Sequence, residues 1–169
     1  MQLIMKKIDP VMIGIGIVTI IIIGGIFIAS FKAGGQPIAQ YQITDVDRPI
    51  LKTFLNSFDF GQMDLKDIKT KEIELKNTGN QPLIISNLIT SCDCTFAQLV
   101  NNGQASPRFS MSRDTKWRGE IAAGETALLK IIYEPRLMPV QGRVSRTVIF
   151  KTNDPANPNV NINFTAQVR

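Results

Sequence analysis

The hydrophobic pattern begins with an unbroken apolar block near the N-terminus. Residues 11–31 read VMIGIGIVTIIIIGGIFIASF, which is 21 residues without a charged side chain. A helix rises about 1.5 Å per residue, so this block is long enough to cross a hydrocarbon core of roughly 30 Å. We therefore predict a single-pass transmembrane helix at residues 11–31.

Lysines flank this block unevenly. Lys6 and Lys7 precede it, whereas Lys32 alone follows closely. Because cytoplasmic flanks carry the excess of basic residues, we predict that residues 1–10 are cytoplasmic and that the rest of the chain is extracytoplasmic. A cleaved signal peptide is the alternative, but its apolar region usually spans about 7 to 15 residues and ends in a small-x-small site. The length of the block favours an uncleaved signal-anchor in the cell membrane.

Beyond residue 56 the pattern changes to short alternating runs. Ile73 and Leu75 alternate with charged residues, as in a strand with one face on a core and the other in water. Segments rich in Asn, Gly and Pro separate such runs. The predicted strands lie at residues 58–60, 70–76, 83–89, 127–133, 144–151 and 160–168. Several short strands without an amphipathic helix between them predict an all-β, antiparallel β-sandwich.

Two segments lack sustained periodicity. Residues 32–56 begin with glycines and are predicted to be a stalk that precedes the domain at residues 57–169. Residues 96–121 form a long polar stretch, predicted to be an inserted loop. Its basic and aromatic side chains suggest a partner-binding loop formed by Arg108, Arg113, Lys116, Trp117 and Arg118. The alternative is that Trp117 and Phe109 pack the insertion on the sandwich.

Composition narrows the chemistry that the chain can perform. A length of 169 residues allows one domain of ordinary size plus an appendage. Histidine is absent from the sequence, which removes the usual general base and the commonest metal ligand. The formal charge of +5 includes no basic run, so nucleic acid is not a predicted partner. We predict no catalytic residue, no cofactor and no enzymatic activity.

The two cysteines of the chain are Cys92 and Cys94, in the segment SCDCT. If that segment is extended, both thiols point to one face and their Cα atoms lie roughly 6.5 Å apart, near the upper limit for a disulfide. Three interpretations stay open: a structural pair, thiol exchange, and metal binding. In the last of these, Cu(I) would take both thiolates and recruit Met63, Met111 or Met138.

An ordered set of short motifs resembles a known family. The motifs are FDFG at residues 58–61, LKNTGNQPLII at 75–85, SCDCT at 91–95, GE at 124–125 and TNDP at 152–155. In this order they resemble a bacterial domain-of-unknown-function family that is similar to Hydin-like and major-sperm-protein-like immunoglobulin folds. The resemblance covers about residues 56–168 and implies an immunoglobulin-like sandwich in an extracytoplasmic setting, with no established activity. The chain departs from the family at Asp93, where glycine is usual, and at Ala123, where proline is usual.

These features together predict a membrane-anchored, non-catalytic module for protein interaction or envelope assembly. Its predicted partners are the membrane and an unidentified envelope protein. The alternative is a thiol-redox or copper-handling protein that uses Cys92 and Cys94.

Overall fold

The computed structural model describes residues 10–33, 38–112, 114 and 116–169. The chain divides into two compact units, Met1–Pro37 and Ile38–Arg169.

The first unit contains one helix, α1, over the 24 residues Pro10–Ala33. Its side chains are described at Met12 and residues 14–24. Among the residues that the structure describes, no helix is long and apolar enough to cross a membrane. The transmembrane, single-pass assignment of residues 11–31 is therefore not supported by the described residues.

The second unit is a sandwich of two five-stranded sheets. One sheet has the strand order β1-β3-β8-β5-β6, and the other has the order β2-β10-β9-β4-β7. The strands are β1 (Leu51–Thr53), β2 (Ser57–Met63), β3 (Lys69–Asn77), β4 (Leu83–Thr90), β5 (Thr95–Asn101), β6 (Gln104–Ala105), β7 (Arg118–Ile121), β8 (Thr126–Tyr133), β9 (Gly142–Thr152) and β10 (Asn159–Val168). A 3₁₀ turn at Pro135–Leu137 follows β8.

Strand pairing is antiparallel throughout the described sheets except between β2 and β10, which run parallel. β3 shows why the strands form. Ile73 and Leu75 are buried, whereas the residues between and beside them face water. The core between the sheets is centred on large side chains that are almost fully buried, among them Tyr133, Phe150 and Phe164. Burying each such side chain contributes roughly 1.5–3 kcal/mol.

The six predicted strands are confirmed as β2, β3, β4, β8, β9 and β10. The predicted sandwich is likewise confirmed. Each predicted strand extends by one to four residues in the structure because β-pairing continues into the flanking polar positions.

The predicted long loop at residues 96–121 is wrong. β5 pairs with the central strand β8 from Thr95↔Tyr133 to Val100↔Leu128, and β7 forms the edge next to β4. The pattern of β5 misleads because its inward positions hold the small or polar residues Thr95 and Ala97, whereas Phe96 faces outward. Small or polar residues at inward positions leave no alternation of large apolar residues for the pattern to show.

The predicted stalk at residues 32–56 is too long. The second unit begins at Ile38, and β1 at Leu51–Thr53 pairs with the end of β3. A strand of three residues carries too little alternation to be recognised from its sequence.

Asp154 secures one end of the sandwich from a fully buried position. Its carboxylate accepts hydrogen bonds from the Leu51 N–H at 3.0 Å and the Ala156 N–H at 2.9 Å. The Asn157 amide donates at 2.8 Å, and the Arg48 guanidinium forms an ion pair at 3.3 Å. One carboxylate therefore joins β1 to the turn between β9 and β10.

Asn77 also joins the loops at this end of the sandwich, and it is fully buried. Its amide nitrogen donates to three backbone carbonyl groups, at 2.8 Å, 3.0 Å and 3.2 Å, which belong to Gln81, Ile121 and Ala122. Its oxygen accepts from the Gly79 N–H at 3.0 Å. Residues 77–82, 122–125 and 153–158 together form what we call the motif end of the sandwich.

Candidate functional site

The cysteine pair lies at the opposite end of the sandwich, in the tight turn between β4 and β5. Cys92 and Cys94 are joined by a disulfide, with their Cα atoms 5.1 Å apart. The Thr90 hydroxyl donates to the carbonyl oxygens of Cys92 and Thr95, at 2.8 Å and 3.0 Å, and holds the turn closed. This bend brings the Cα atoms closer than an extended segment would.

Asp93 stands exposed between the two cysteines. Among the described non-glycine residues, positive φ values occur at Asn87 and Asn102, so Asp93 does not adopt a left-handed conformation. The turn therefore has no need of the glycine that is usual in the family. The Asp93 carboxylate instead accepts a hydrogen bond from the Met111 N–H at 3.3 Å.

Each sulfur of the bridge has an N–H group directed at it. The Cys94 N–H donates to Cys92 Sγ at 3.0 Å, and Arg146 Nε donates to Cys94 Sγ at 3.4 Å. Arg146 is half-buried on β9 and forms no salt bridge with any described residue. A guanidinium without a carboxylate partner is well placed to stabilise negative charge on the nearby sulfur.

Met138 completes the surroundings of the bridge. Its Sδ atom lies 3.6 Å from Cys92 Sγ, and its side chain is 46% exposed. Met63, by contrast, is buried in the core, and Met111 contacts the turn through its backbone. Sequence spacing gives no signal for this contact, because 46 positions separate Cys92 from Met138.

Tyr133 lies near the same arginine. Its side chain is fully buried, and its hydroxyl has no hydrogen-bond partner among the described protein atoms. Burial raises the pKa of Tyr133 above its usual value near 10, and the positive charge of Arg146 partly opposes that shift. The phenol is therefore held neutral beside the site.

The disulfide contributes little to the fold as a cross-link. Its cysteines are separated by two positions, so it closes a very short loop. The chain-entropy model gives about 1.5 kcal/mol for such a loop, against about 3 kcal/mol for a loop of 15 residues. The bridge therefore adds little to the free energy of unfolding. Any functional role of this pair comes from the chemistry of its two sulfur atoms.

Exposed apolar side chains lie in the two segments that contact the turn of the bridge. Leu137, Met138 and Val140 are 47%, 46% and 44% exposed, and Met111 is 52% exposed. We call residues 91–94, 108–111 and 134–140 the cysteine end.

Two arginines border this apolar surface. Arg108 and Arg136 both pair with the carboxylate of Glu134, at 2.6 Å and 3.5 Å, and both stay partly exposed. An apolar centre with a charged border is typical of a protein-binding surface.

The predicted partner-binding loop does not form one surface. Arg108 lies at the cysteine end, where its guanidinium also stacks 4.0 Å from the ring centre of Phe96.

Arg118, on β7, lies elsewhere and lines a cavity of about 380 Å³ together with Asp154 and Pro155 of the motif end. Lys116 is exposed, and Arg113 lies outside the described residues. Partner binding by these residues stays a prediction.

Trp117 packs against the sandwich together with Phe109, which is the alternative to partner binding. Its ring lies 4.7 Å from that of Phe109 and packs against the core. Phe109 is buried and bridges to Ala97 of β5. A Cβ atom on Gly119 would approach the Trp117 ring to 2.8 Å, so this packing also requires a glycine.

A match to a family model identifies the family. Residues 49–167 match the model of the HYDIN/CFA65/VesB-like, Ig-like domain. The chain belongs to this family. The resemblance to Hydin-like immunoglobulin folds is thereby confirmed, and so is the immunoglobulin-like class of the sandwich. The ordered set of motifs stays a prediction. No curated protein matches the chain.

Solved structures share this fold at low sequence identity. A protein of unknown function from Porphyromonas gingivalis W83 is 21% identical with a TM-score of 0.58, and the match covers 74% of this chain and 49% of that one. This chain therefore spans about half the length of that protein. The ASH/PapD-like domain of human CEP192 is 11% identical with a TM-score of 0.50, over 80% of this chain and 96% of that domain. At these identities the likeness shows the fold alone.

Proposed function

We propose that this chain is a membrane-tethered, non-catalytic interaction module that binds another envelope protein through the cysteine end of its sandwich. The observation that carries this proposal is the cluster of exposed apolar side chains at Met111, Leu137, Met138 and Val140. Exposed apolar residues gathered in one place favour burial against a partner, because removing them from water is favourable.

The border of the cluster indicates the chemistry of that partner. Arg108 and Arg136 share the single carboxylate of Glu134, so these three side chains carry a net positive charge. The exposed carboxylate of Asp93 lies on the turn that carries the bridge. A partner segment with apolar residues at its centre and carboxylates at its edges would complement this surface. Such charges chiefly raise the association rate and fix the register of binding.

The tether is the part of the proposal that rests on the sequence. Residues 11–31 are uncharged, and lysines are concentrated on their N-terminal side. This distribution supports an anchor with its N-terminus in the cytoplasm and the sandwich outside it. The Cys92–Cys94 disulfide adds support, because disulfides persist in oxidising compartments.

Site-specific photo-crosslinking in intact membranes tests the interaction surface. A photoreactive residue replaces Leu137 at the cysteine end or, as a control, Gln104, which is exposed beyond the far end of β5. We expect an adduct of defined mass from position 137 and none from position 104. Adding Val140→Asp to the position 137 chain should abolish the adduct, since a carboxylate disfavours burial. Equal adducts from both positions, or an adduct that survives Val140→Asp, would refute the proposed surface.

Alkaline carbonate extraction of membranes tests the tether separately. The full chain should stay in the membrane pellet, and a chain without residues 1–33 should be released. Release of the full chain under the same conditions would refute the anchor but leave the interaction surface untouched.

A second candidate function is thiol exchange at the same cysteines. It is favoured by the contact between Arg146 and Cys94 Sγ, because a guanidinium stabilises the thiolate that leaves when the bridge opens. Under native conditions a dithiol should then open the bridge of the wild-type chain faster than that of Arg146→Gln. Equal rates would count against this function.

A further inference from the structure

We propose that the reduced chain binds one Cu(I) ion through Cys92, Cys94 and Met138, with Arg146 as the counter-charge. This inference goes beyond the interaction function and does not depend on it. It rests on three sulfur atoms and one guanidinium without a carboxylate partner among the described residues, which the fold brings together from three separate segments.

The sulfur spacing suits a single metal ion. Cys92 Sγ and Met138 Sδ are 3.6 Å apart. Two sulfur ligands of a trigonal site with metal–sulfur bonds of about 2.3 Å lie about 4 Å apart, so Met138 needs to move by only a few tenths of an ångström. Once the disulfide is reduced, the Cys92 and Cys94 sulfurs are no longer bonded and separate toward the same spacing.

The charge balance also suits Cu(I). One Cu(I) ion and two thiolates carry a net charge of −1, which is unfavourable in a buried site without compensation. Arg146 Nε already lies 3.4 Å from Cys94 Sγ, and this arginine has no salt-bridge partner among the described residues. The Cys94 N–H directed at Cys92 Sγ supplies a second donor. Donors of this kind around the ligands strengthen metal sites.

The ligand set selects a soft, low-coordinate ion. Two thiolates and a thioether favour Cu(I), whereas a closed zinc site takes four ligands drawn from Cys, His and carboxylates. Among the described residues, no three His, Cys, Asp or Glu side chains form a metal-binding group. The sequence has no histidine that could complete such a group.

The burial of the three ligands is graded. Met138 is 46% exposed, whereas Cys92 and Cys94 are 4% and 0% exposed. The thioether can therefore meet the ion first and pass it inward to the thiolates. The bound ion is then shielded from water, which disfavours exchange with hard ligands.

Loading requires prior reduction of the bridge by a dithiol. One thiolate of the dithiol attacks Cys92 Sγ, the Cys92–Cys94 bond breaks, and the electron pair of that bond leaves on Cys94 as a thiolate beside Arg146. The second thiol of the dithiol, after losing its proton, then attacks the mixed disulfide, so the dithiol departs oxidised and Cys92 is released as a thiolate. Cu(I) binds the two thiolates, and any proton they have taken up is released.

Anaerobic titration of the detergent-solubilised full chain tests the site. The chain is reduced with a phosphine, freed of reductant, and titrated with Cu(I) held by a chromophoric Cu(I) chelator. We expect one Cu(I) per chain, with ultraviolet thiolate-to-copper absorption, and no binding by the double variant Cys92→Ala/Cys94→Ala. Met138→Leu should weaken the affinity at least tenfold, and the matched control Met111→Leu should leave it unchanged.

The pH dependence of Cu(I) binding tests the role of Arg146. Arg146→Gln should move the pH midpoint of Cu(I) binding upward, because the thiolates lose their counter-charge, and Arg146→Lys should restore part of the shift. Stoichiometry near zero in the wild-type chain overturns the site, as does displacement of Cu(I) by equimolar Zn²⁺. Equal affinities of the Met138→Leu and Met111→Leu chains exclude Met138 as a ligand. Comparing the Cu(I) affinities of Met138→Leu and Met111→Leu tests the ligand set even if the double cysteine variant does not fold.

Discussion

The two ends of the sandwich differ in how completely their polar groups are hydrogen-bonded and how much apolar surface they expose. At the motif end, the buried side chains of Asn77 and Asp154 are saturated with hydrogen bonds from backbone and side-chain groups. At the cysteine end, sulfur atoms lie beside the Arg146 guanidinium, which has no carboxylate partner among the described residues, and apolar side chains face water.

The difference teaches that a motif residue need not mark a functional site. Hydrogen-bonded groups that are buried and fully paired hold loops together and leave nothing for a ligand. Groups with unused bonding capacity or exposed apolar area are available to a partner. We therefore expect mutations at the motif end to unfold the domain and mutations at the cysteine end to spare it.

The largest effect is expected from Asp154→Ala. Removing the carboxylate leaves the N–H groups of Leu51 and Ala156 and the Arg48 guanidinium without their acceptor. The free energy of unfolding should fall by about 3–5 kcal/mol. Urea unfolding followed by the fluorescence of Trp117, the single tryptophan, measures this loss. Glu72→Ala, on the exposed face of β3, is the control and should stay within about 0.5 kcal/mol of the wild-type chain.

Asn77→Ala should have the next largest effect. Three carbonyl groups lose a shared donor, and partial access of water to the loops limits the loss to about 2–3 kcal/mol. The same urea experiment measures it, with the exposed residue Asn161 changed to alanine for comparison. A loss no larger than that of the Asn161 variant would remove Asn77 from the set of stabilising residues.

A smaller effect is expected at the cysteine end from Cys92→Ala/Cys94→Ala. The short loop that the bridge closes implies a loss of about 1–2 kcal/mol, most of it chain entropy. If this variant proves as unstable as Asp154→Ala, the two ends do not differ in their contribution to stability. The bridge is then chiefly a stabilising cross-link.

The smallest effect at neutral pH is expected from Tyr133→Phe. The hydroxyl has no described hydrogen-bond partner, so its removal should change the free energy of unfolding by less than about 1 kcal/mol. Thermal unfolding at pH 7 measures the difference.

The same variant should separate from the wild-type chain at alkaline pH. Burial raises the pKa of Tyr133 above its usual value near 10, so the folded chain keeps the phenolic proton to a higher pH than the unfolded chain does. The stability that comes from the neutral phenol is complete below pH 10 and is lost as the pH rises through the raised value. Above pH 10 the wild-type melting temperature should therefore fall more steeply than that of Tyr133→Phe. Parallel profiles would show that Tyr133 titrates alike in both states.

The strands that were predicted correctly have a shared property. In β3 and β10 the inward positions hold large apolar residues such as Ile73 and Phe164, and turn-forming residues border each strand. Periodicity alone is then sufficient. β5 and β7 were missed because Ala97 and Gly119 are buried or partly buried for reasons of packing, which a hydrophobic pattern does not record.

The candidate site was predictable only in part. The sequence indicates that Cys92 and Cys94 act as a pair, because two positions separate them on one strand face. Met138 and Arg146 reach the pair only because β8, β9 and the 3₁₀ turn fold back over it. Contacts between residues this distant in sequence depend on the registers of β5 with β8 and of β4 with β9, which no local signal sets.

The parallel pairing of β2 with β10 has a consequence for how the protein is made. β2 comes early in the domain, yet its register runs from Ser57↔Asn163 to Met63↔Val168, so it cannot pair until β10, the last of the described strands, has been synthesised. Closing contacts so distant along the chain is slow, because a long loop must be ordered first. Until synthesis reaches β10, the growing chain has unpaired edges at both β2 and β9. Truncation by a dozen C-terminal residues should therefore abolish folding rather than shorten the domain.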